Sequence, residues 1–285
     1  MILVTGGTGV VGSALLEHLA RSGEQVRVLT HSTAGRDTVQ RHGFEVAAGD
    51  LDDSATVASA MRGCDRLFLL SPADPAQPVR ERAAIDVALR AGVGRIVSQS
   101  VGGADHSSPL AFKRWHAEID DHLIAAKVPY AILRPAGFME THLWPVDMVT
   151  TQGRWYGMTG QGEAAYVAAD DIARVAAVAL TRADHVDAVH EITGPAAITM
   201  AQAATELSEV IGREVPYVDL PAEQFKASLD QAGVPDWLAA TIVTLYAEIR
   251  DGQGAAVTGT VQEITGRPAR TYREFAQTRR ADFRR

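Results

Sequence analysis

The run Val4-Thr5-Gly6-Gly7-Thr8-Gly9-Val10-Val11-Gly12 constrains this chain more than any other stretch. An apolar start, Met1-Ile2-Leu3-Val4, precedes it, and the helical pattern Ala14-Leu15-Leu16-Glu17-His18-Leu19 follows. In that strand–turn–helix setting the glycines have a physical job. They let the backbone reverse sharply and let a pyrophosphate approach the main chain. A helix starting near Gly9 then aims free N–H groups and the positive end of its dipole at that phosphate. The expectation is a dinucleotide held by Gly6, Thr8, Gly9, Val10, Val11 and Gly12.

The pattern downstream keeps the same rhythm. Strands are expected at Gln25–Thr30, Phe44–Ala48, Arg66–Leu70, Arg95–Ser98 and Tyr130–Leu133. Between them helices are expected at Asp37–His42, Ser54–Met61, Val79–Ala91 and roughly Leu110–Ala126. Such alternation implies right-handed βαβ units and an α/β fold with a doubly wound parallel sheet. Ligands of these sheets lie beyond the carboxyl ends of the strands, which directs attention to Thr30–Arg36, Asp50, Ser71-Pro72, Ser98–Gly103 and Arg134–Met139.

Beyond Phe138 the rhythm loosens. Residues 1–140 read as the dinucleotide-binding region. Residues 141–285 read mainly as a smaller α+β substrate lobe, the two forming one intertwined unit. In the lobe, Gly153–Gly157 looks like a hairpin or extended loop, Ala169–Thr181 and Met200–Ile211 like helices, and His190–Gly194 like a short strand. Two adjoining helical patterns, Ala222–Gln231 and Asp236–Arg250, predict a helical hairpin over residues 221–250. Its apolar stripe fits either a lid over the substrate or a face packed permanently on the lobe.

Charge and composition narrow the function classes. A net charge of −8 argues against a nucleic-acid partner. No apolar run approaches the ~20 residues of a membrane span, and the N-terminus lacks the basic region of a signal peptide. A cytoplasmic protein is expected, as a monomer or a homodimer. The single cysteine, Cys64, excludes an internal disulfide or a cysteine-rich metal site, and it reads as a buried thiol beside Leu67–Leu70.

Thr5-Gly6-Gly7-Thr8-Gly9-Val10-Val11-Gly12 resembles the T-G-x-T-G-x-x-G fingerprint of the atypical short-chain dehydrogenase/reductase superfamily. Gly49-Asp50-Leu51, His116-x-Glu118-x-Asp120-x-x-Leu123, Val128–Pro135 with its Leu133-Arg134-Pro135, and Leu220-Pro221-x-x-x-Phe225 with Gly233-Val234-Pro235 are similar to the NmrA-like branch. That branch includes NAD(P)H:quinone oxidoreductases. The resemblance implies a Rossmann fold and an oxidoreductase, with Asp50 and Leu51 near the adenine. It also implies Pro135, Gly137 and Phe138 on the nicotinamide side.

The cofactor follows from charge. An NAD site carries an acid about 20 residues past the glycines to hold the ribose 2′-hydroxyl. Here Thr30-His31-Ser32 stands at that place, with Arg36 nearby. His31, Ser32 and Arg36 can donate to a 2′-phosphate, so NADPH is expected ahead of NADH.

The catalytic end departs from the superfamily's Y-x-x-x-K pair. The residues four after Tyr130, Tyr156, Tyr166, Tyr217, Tyr246 and Tyr272 are Arg134, Gly160, Asp170, Pro221, Arg250 and Ala276. His116 and Ser100 are the remaining candidates for ribose contact, proton relay or a hydrogen bond to the reacting carbonyl. Either reads equally as scaffold. Trp144, Trp155 and Trp237 offer flat apolar surface for a small aromatic substrate, or fill the core. Two functions fit: hydride delivery to a quinone or ketone of an aromatic, polyketide-like molecule, or a non-catalytic NADP-binding redox sensor.

Overall fold

The computed structural model describes residues 1–182 and 184–283. Its first half runs β1 (Ile2–Val4), α1 (Val10–Ser22), β2 (Val26–Thr30), α2 (Thr33–Arg41), β3 (Glu45–Ala48) and α3 (Ser54–Met61). It continues with β4 (Arg66–Leu69), α4 (Gln77–Arg90), β5 (Arg95–Gln99), α5 (Ala111–Ala125) and β6 (Tyr130–Pro135). After a 3₁₀ turn at Met139–Leu143 come α6 (Val146–Gln152), β7 (Trp155–Gly157), β8 (Glu163–Ala164) and α7 (Ala169–Thr181). Then follow β9 (Ala188–Ile192), β10 (Ile198–Thr199), α8 (Met200–Ile211), β11 (Tyr217–Asp219), α9 (Ala222–Gln231), α10 (Asp236–Arg250), α11 (Thr260–Thr265) and α12 (Tyr272–Thr278).

Seven strands form one sheet in the order β3-β2-β1-β4-β5-β6-β9, and every pairing in it is parallel. The chain winds outward from β1 to β3, then returns to β4 on the other side of β1. That reversal opens the crevice in which such sheets bind ligands. Alternate residues of each strand feed opposite layers. Ile2, Val4, Phe68 and Val97 meet Leu15, Leu16 and Leu19 of α1 and Ile172, Val175 and Ala176 of α7. Leu3, Leu67, Leu69 and Ile96 meet Val57, Met61, Ile85 and Ile119 of α3, α4 and α5. Both faces are covered, as an all-parallel sheet requires.

The second half completes the first. β9 extends the sheet beside β6, and α7 packs on α1. A separate core, with Trp155, Tyr166, Met200, Leu207 and Phe275, holds the remaining lobe together.

Three local expectations need correction. α2 begins at Thr33 rather than Asp37, because the Ser32 hydroxyl accepts a bond from the Gly35 N–H at 3.0 Å and caps it. α4 begins at Gln77, two residues ahead of Val79, because Pro78 suits a first helical turn. Gly153–Gly157 makes no hairpin: Trp155–Gly157 pairs in parallel with Tyr217–Asp219, a strand more than fifty residues away in sequence.

At the start of α1 a side chain on Gly12 would place its Cβ 2.1 Å from the Gly6 carbonyl oxygen and 2.7 Å from the Gly7 Cα. Both are backbone atoms with no room to yield. Gly12→Ala is therefore expected to lower stability by about 1–3 kcal/mol and to abolish dinucleotide binding. Urea unfolding and titration with NADPH check this; parent-like values in both would refute the steric reading.

Candidate active site

The glycine turn is built at the crevice where β1 meets β4. Buried Thr5 ties the strand ends together: its Oγ1 donates to the Leu70 carbonyl and accepts from the Leu70 N–H, each at 2.9 Å. The chain then reverses, with the Gly9 N–H donating to Gly6 O at 3.0 Å, and α1 starts directly after Gly9. No side chain caps that helix, and no acid lies in its first turn. Its leading N–H groups are left for an external anion. Thr8, Gly9 and Val10 are exposed at the rim, whereas the Val11 side chain is 2% exposed and packs in the core. The turn's backbone and Thr8 are thus the groups that this rim offers to a phosphate.

At the adenosine end, a Cβ on Gly35 would lie 2.5 Å from Thr30 Oγ1 and 2.9 Å from Thr8 Cγ2. The absence of a side chain lets α2 press its first turn against the glycine turn. Arg36, the next residue, is exposed there, with its guanidinium in no ion pair among the described residues. The exposed His31 ring stands 4.0 Å from the Asp50 carboxylate. Asp50 in turn accepts from the Asp52 N–H at 3.0 Å, and Leu51 beside it is half-buried. Ser32 keeps a hydroxyl proton to give, since as a cap it only accepts. These placements bring His31, Ser32 and Arg36 to one rim, with Asp50 opposite.

At the other end, the strand termini carry Ser71, Pro72, Ser100, Pro135 and Gly137. Pro72 and Gly137 are exposed, Phe138 is half-buried, and Ser71, Ser100 and Pro135 are buried. Both catalytic candidates are buried, and Ser100 has given up its donor. The Ser100 hydroxyl donates to Asp120 Oδ2 at 2.9 Å, and the Arg134 Nε donates to the same oxygen at 2.9 Å. His116 is 7% exposed and meets the Gln77 side-chain nitrogen at 3.4 Å. Gln77 also donates to Glu81 Oε1 at 3.1 Å, and the Ser71 hydroxyl donates to that oxygen at 2.7 Å.

Burial sets the charges of this group. It lowers the His116 imidazole to about 4, helped by the nearby Arg134 charge, so the ring is neutral at pH 7. It raises the Glu81 carboxyl to about 7 against the pull of its bonds from Ser71 and Gln77. It also raises Asp120, against the opposing pull of Arg134 and Ser100. Sequence reasoning missed Gln77 and Glu81. Their signal was a pair of polar residues one turn apart on the helix face that also carries Ala84, Ile85 and Ala88.

The three indoles separate. Trp144 and Trp237 are 70% and 53% exposed. Trp155 is 2% exposed, with its ring edge-on to His142 at 5.0 Å. Its expected place against the substrate is thereby corrected: it fills the lobe's core. The α9–α10 hairpin is anchored at its base and open at its tip. Lys113 of α5 pairs with Glu248 of α10 at 2.5 Å, and both side chains are mostly buried. Arg250 donates to the Met158 carbonyl at 2.7 Å, while residues 231–233 and 235–237 are exposed.

A glycine cradle that a single Cβ would fill, an uncapped helix start and a rim carrying the exposed Arg36 fit a phosphorylated dinucleotide. Fold and site together define a dinucleotide-dependent reductase of the atypical short-chain dehydrogenase/reductase kind. The model of the NmrA-like family matches residues 1–264, and the chain belongs to that family. It is 35% identical over 283 residues to an NAD(P)H azoreductase of Xenophilus azovorans, covering 99% of both chains. It is 30% identical over 277 residues to quinone oxidoreductase 2 of Escherichia coli, covering 96% of each. Its structure superposes on that of an NADPH-dependent quinone oxidoreductase from Escherichia coli complexed with NADPH. The TM-score is 0.89 at 29% identity, over 98% of this chain and 99% of the other.

Two buried imidazoles make stability acid-sensitive. Burial lowers His116 to about 4 and His142 to about 3, from 6.5 in an unfolded chain. Each contributes stability that is fully present above pH 6.5 and is lost as pH falls toward the folded value. The His116 share is about 3 kcal/mol when fully lost. Urea unfolding at stepped pH is expected to show this loss below pH 6.5, and His142→Leu to reduce its slope. An unchanged slope in that variant would contradict the assignment.

Proposed function

We propose that this NADPH-dependent reductase delivers hydride to a quinone, or to another electron-poor aromatic acceptor whose reduced form is a stabilised anion. The observation that carries this reading is the burial of both catalytic candidates named from the sequence. Ser100 gives its hydroxyl to Asp120, and the neutral His116 faces Gln77. In the sequence no tyrosine is followed four residues later by a lysine, and Lys113 pairs with Glu248. An acceptor that needs a strong protein acid, such as an isolated ketone, is poorly served by such a site. A quinone is well served, because hydride addition leaves a resonance-stabilised phenolate that water can protonate. An azo acceptor is a second reading favoured by the azoreductase likeness; it too ends on an anion that solvent can protonate.

Bound NADPH supplies the hydride; the chain's own residues do the rest. The backbone of Gly6–Gly12 and Thr8 hold the pyrophosphate, His31, Ser32 and Arg36 the 2′-phosphate, and Asp50 and Leu51 flank the adenine. Ser71, Pro72, Pro135, Gly137 and Phe138 border the nicotinamide end. Trp144 and Trp237 supply flat surface for the acceptor, and the hairpin over 221–250 closes on it from a base clamped by Lys113–Glu248. The redox-sensor reading loses ground, because a second lobe and a hinged hairpin serve an acceptor. A cytoplasmic location and a monomer or homodimer accord with the charge and composition.

The test is consumption of NADPH, followed by its absorbance, with menadione-type quinones, an azo dye and a hydroxylated anthracyclic ketone. Turnover of the quinones is expected, with the ketone slowest. Tight NADP⁺ binding without turnover of any acceptor would overturn the proposal. Arg36→Ala should weaken NADPH by roughly tenfold or more, the worth of a charge-assisted contact to phosphate, and leave NADH nearly unchanged. Equal losses for both cofactors would remove Arg36 from the phosphate site.

A further inference from the structure

Between α4, α5 and the ends of β4 and β5 a polar seam interrupts an otherwise apolar layer. Gln77 and Glu81 lie one turn apart on α4, and His116 and Asp120 one turn apart on α5. Ser98 of β5 pairs with Leu69 at the end of β4, and Ser100 and Ser71 follow just beyond the two strands. All of these side chains are buried, Glu81 completely. Glu81 Oε1 accepts three bonds: from the Ser71 N–H at 3.1 Å, the Ser71 hydroxyl at 2.7 Å and the Gln77 amide at 3.1 Å. Because the Gln77 nitrogen can only donate, His116 Nε2 accepts from it and the ring proton sits on Nδ1.

We propose that Glu81 is a positioning residue for the nicotinamide end of the site, fixing the turn after β4 through Ser71 and the His116 ring through Gln77. An apolar residue would stabilise this layer more, since a buried carboxyl is costly. Glu81 reaches two elements of the rim at once, the turn after β4 directly and α5 through Gln77. Its ionisation, moreover, is compensated only in part, by the bonds from Ser71 and Gln77 and by the Arg80 charge. The neighbouring Arg80 is spent on Asp52 at 2.6 Å and Asp74 at 3.1 Å. The His116 ring across the seam is neutral at pH 7, and Asp120 beyond it is held by Arg134 at 2.9 Å. Glu81 Oε2 has no hydrogen-bond partner among the described residues. The neutral acid leaves the seam closed. The carboxylate is the stronger acceptor from Ser71 and Gln77, but its bare Oε2 demands water, and admitting water parts α4 from the turn after β4. The carboxyl titrates at about 7, so this loosening falls in the neutral range.

The experiment is calorimetric titration with NADP⁺ from about pH 6 to about pH 8.5, a range that brackets the Glu81 titration, together with melting temperatures at each pH. The parent, Glu81→Gln and Glu81→Leu are compared. Glutamine keeps an acceptor oxygen for all three donors and cannot ionise. It is expected to match the parent at the acid end and to lack the parent's weakening, roughly fivefold to tenfold, above pH 7. The melting temperatures should agree. A raised carboxyl contributes stability that is full below 4.5 and is lost as pH rises through about 7, so the parent declines there and Glu81→Gln does not. Glu81→Leu should bind roughly tenfold more weakly at every pH.

The proposal is overturned if Glu81→Gln keeps the parent's pH dependence, if it binds as weakly as Glu81→Leu, or if Glu81→Leu binds like the parent. Should the leucine variant not fold, the glutamine comparison decides alone, and it also cancels titration of the ligand's own phosphates. The proposal rests on the NADPH assignment and not on the acceptor. No acceptor is present in the titration, so a failed turnover assay leaves it standing.

Discussion

The contact on which the rest of the structure depends is backbone against backbone. The Gly6 carbonyl occupies the space where residue 12 would carry a Cβ. That approach seats α1 directly on the turn after β1, beside the crevice between β1 and β4. It also aims an uncapped helix start outward over the strand ends. Thr5 completes the arrangement by bonding to both backbone groups of Leu70, so the two strands flanking the crevice cannot drift apart. A phosphate held here is met by oriented N–H dipoles rather than by a lysine or arginine. The protein spends its cations elsewhere.

Where it spends them divides the site into two ends of different physics. The adenosine rim is open and polar: His31 and Arg36 are exposed, and their value lies in matching a charged ligand that brings its own counter-charge. The nicotinamide rim is supported from within. Glu81, Gln77, His116, Asp120 and Arg134 are bonded to one another or to Ser71 and Ser100 beneath the surface. In the proposed reaction such a layer would hold a hydride donor and an acceptor in register and leave the proton to solvent. That division of labour suits acceptors whose reduced anions need no strong acid. The lobe adds exposed indoles and a hairpin clamped at its base by Lys113–Glu248.

The parts legible in the sequence are those set by local periodicity. The alternation of strands and helices through Leu133 and the pairing of Ala222–Gln231 with Asp236–Arg250 can be read from hydrophobic spacing, because each segment buries a face of fixed period. What escaped depends on distant partners. β7 finds β11 across more than fifty residues, so Gly153–Gly157 carries no local mark of its mate. The cap at Ser32 lengthened α2 because a serine hydroxyl outweighed a weak apolar pattern. Trp155 was indistinguishable from Trp144 until packing buried one and exposed the other. The seam was half legible: His116 stood out as a histidine near the expected site, whereas Glu81 looked like any helix carboxylate until a layer of apolar side chains closed around it.

The most direct test is a crystal structure with NADP⁺ bound. The pyrophosphate is expected against the backbone of Gly9, Val10 and Val11, and the 2′-phosphate between His31 and Arg36. The nicotinamide should lie over the rim formed by Ser71, Ser100 and Pro135. A dinucleotide bound in the reverse sense, with adenine over Ser100, or one seated away from the glycine turn, would contradict this placement.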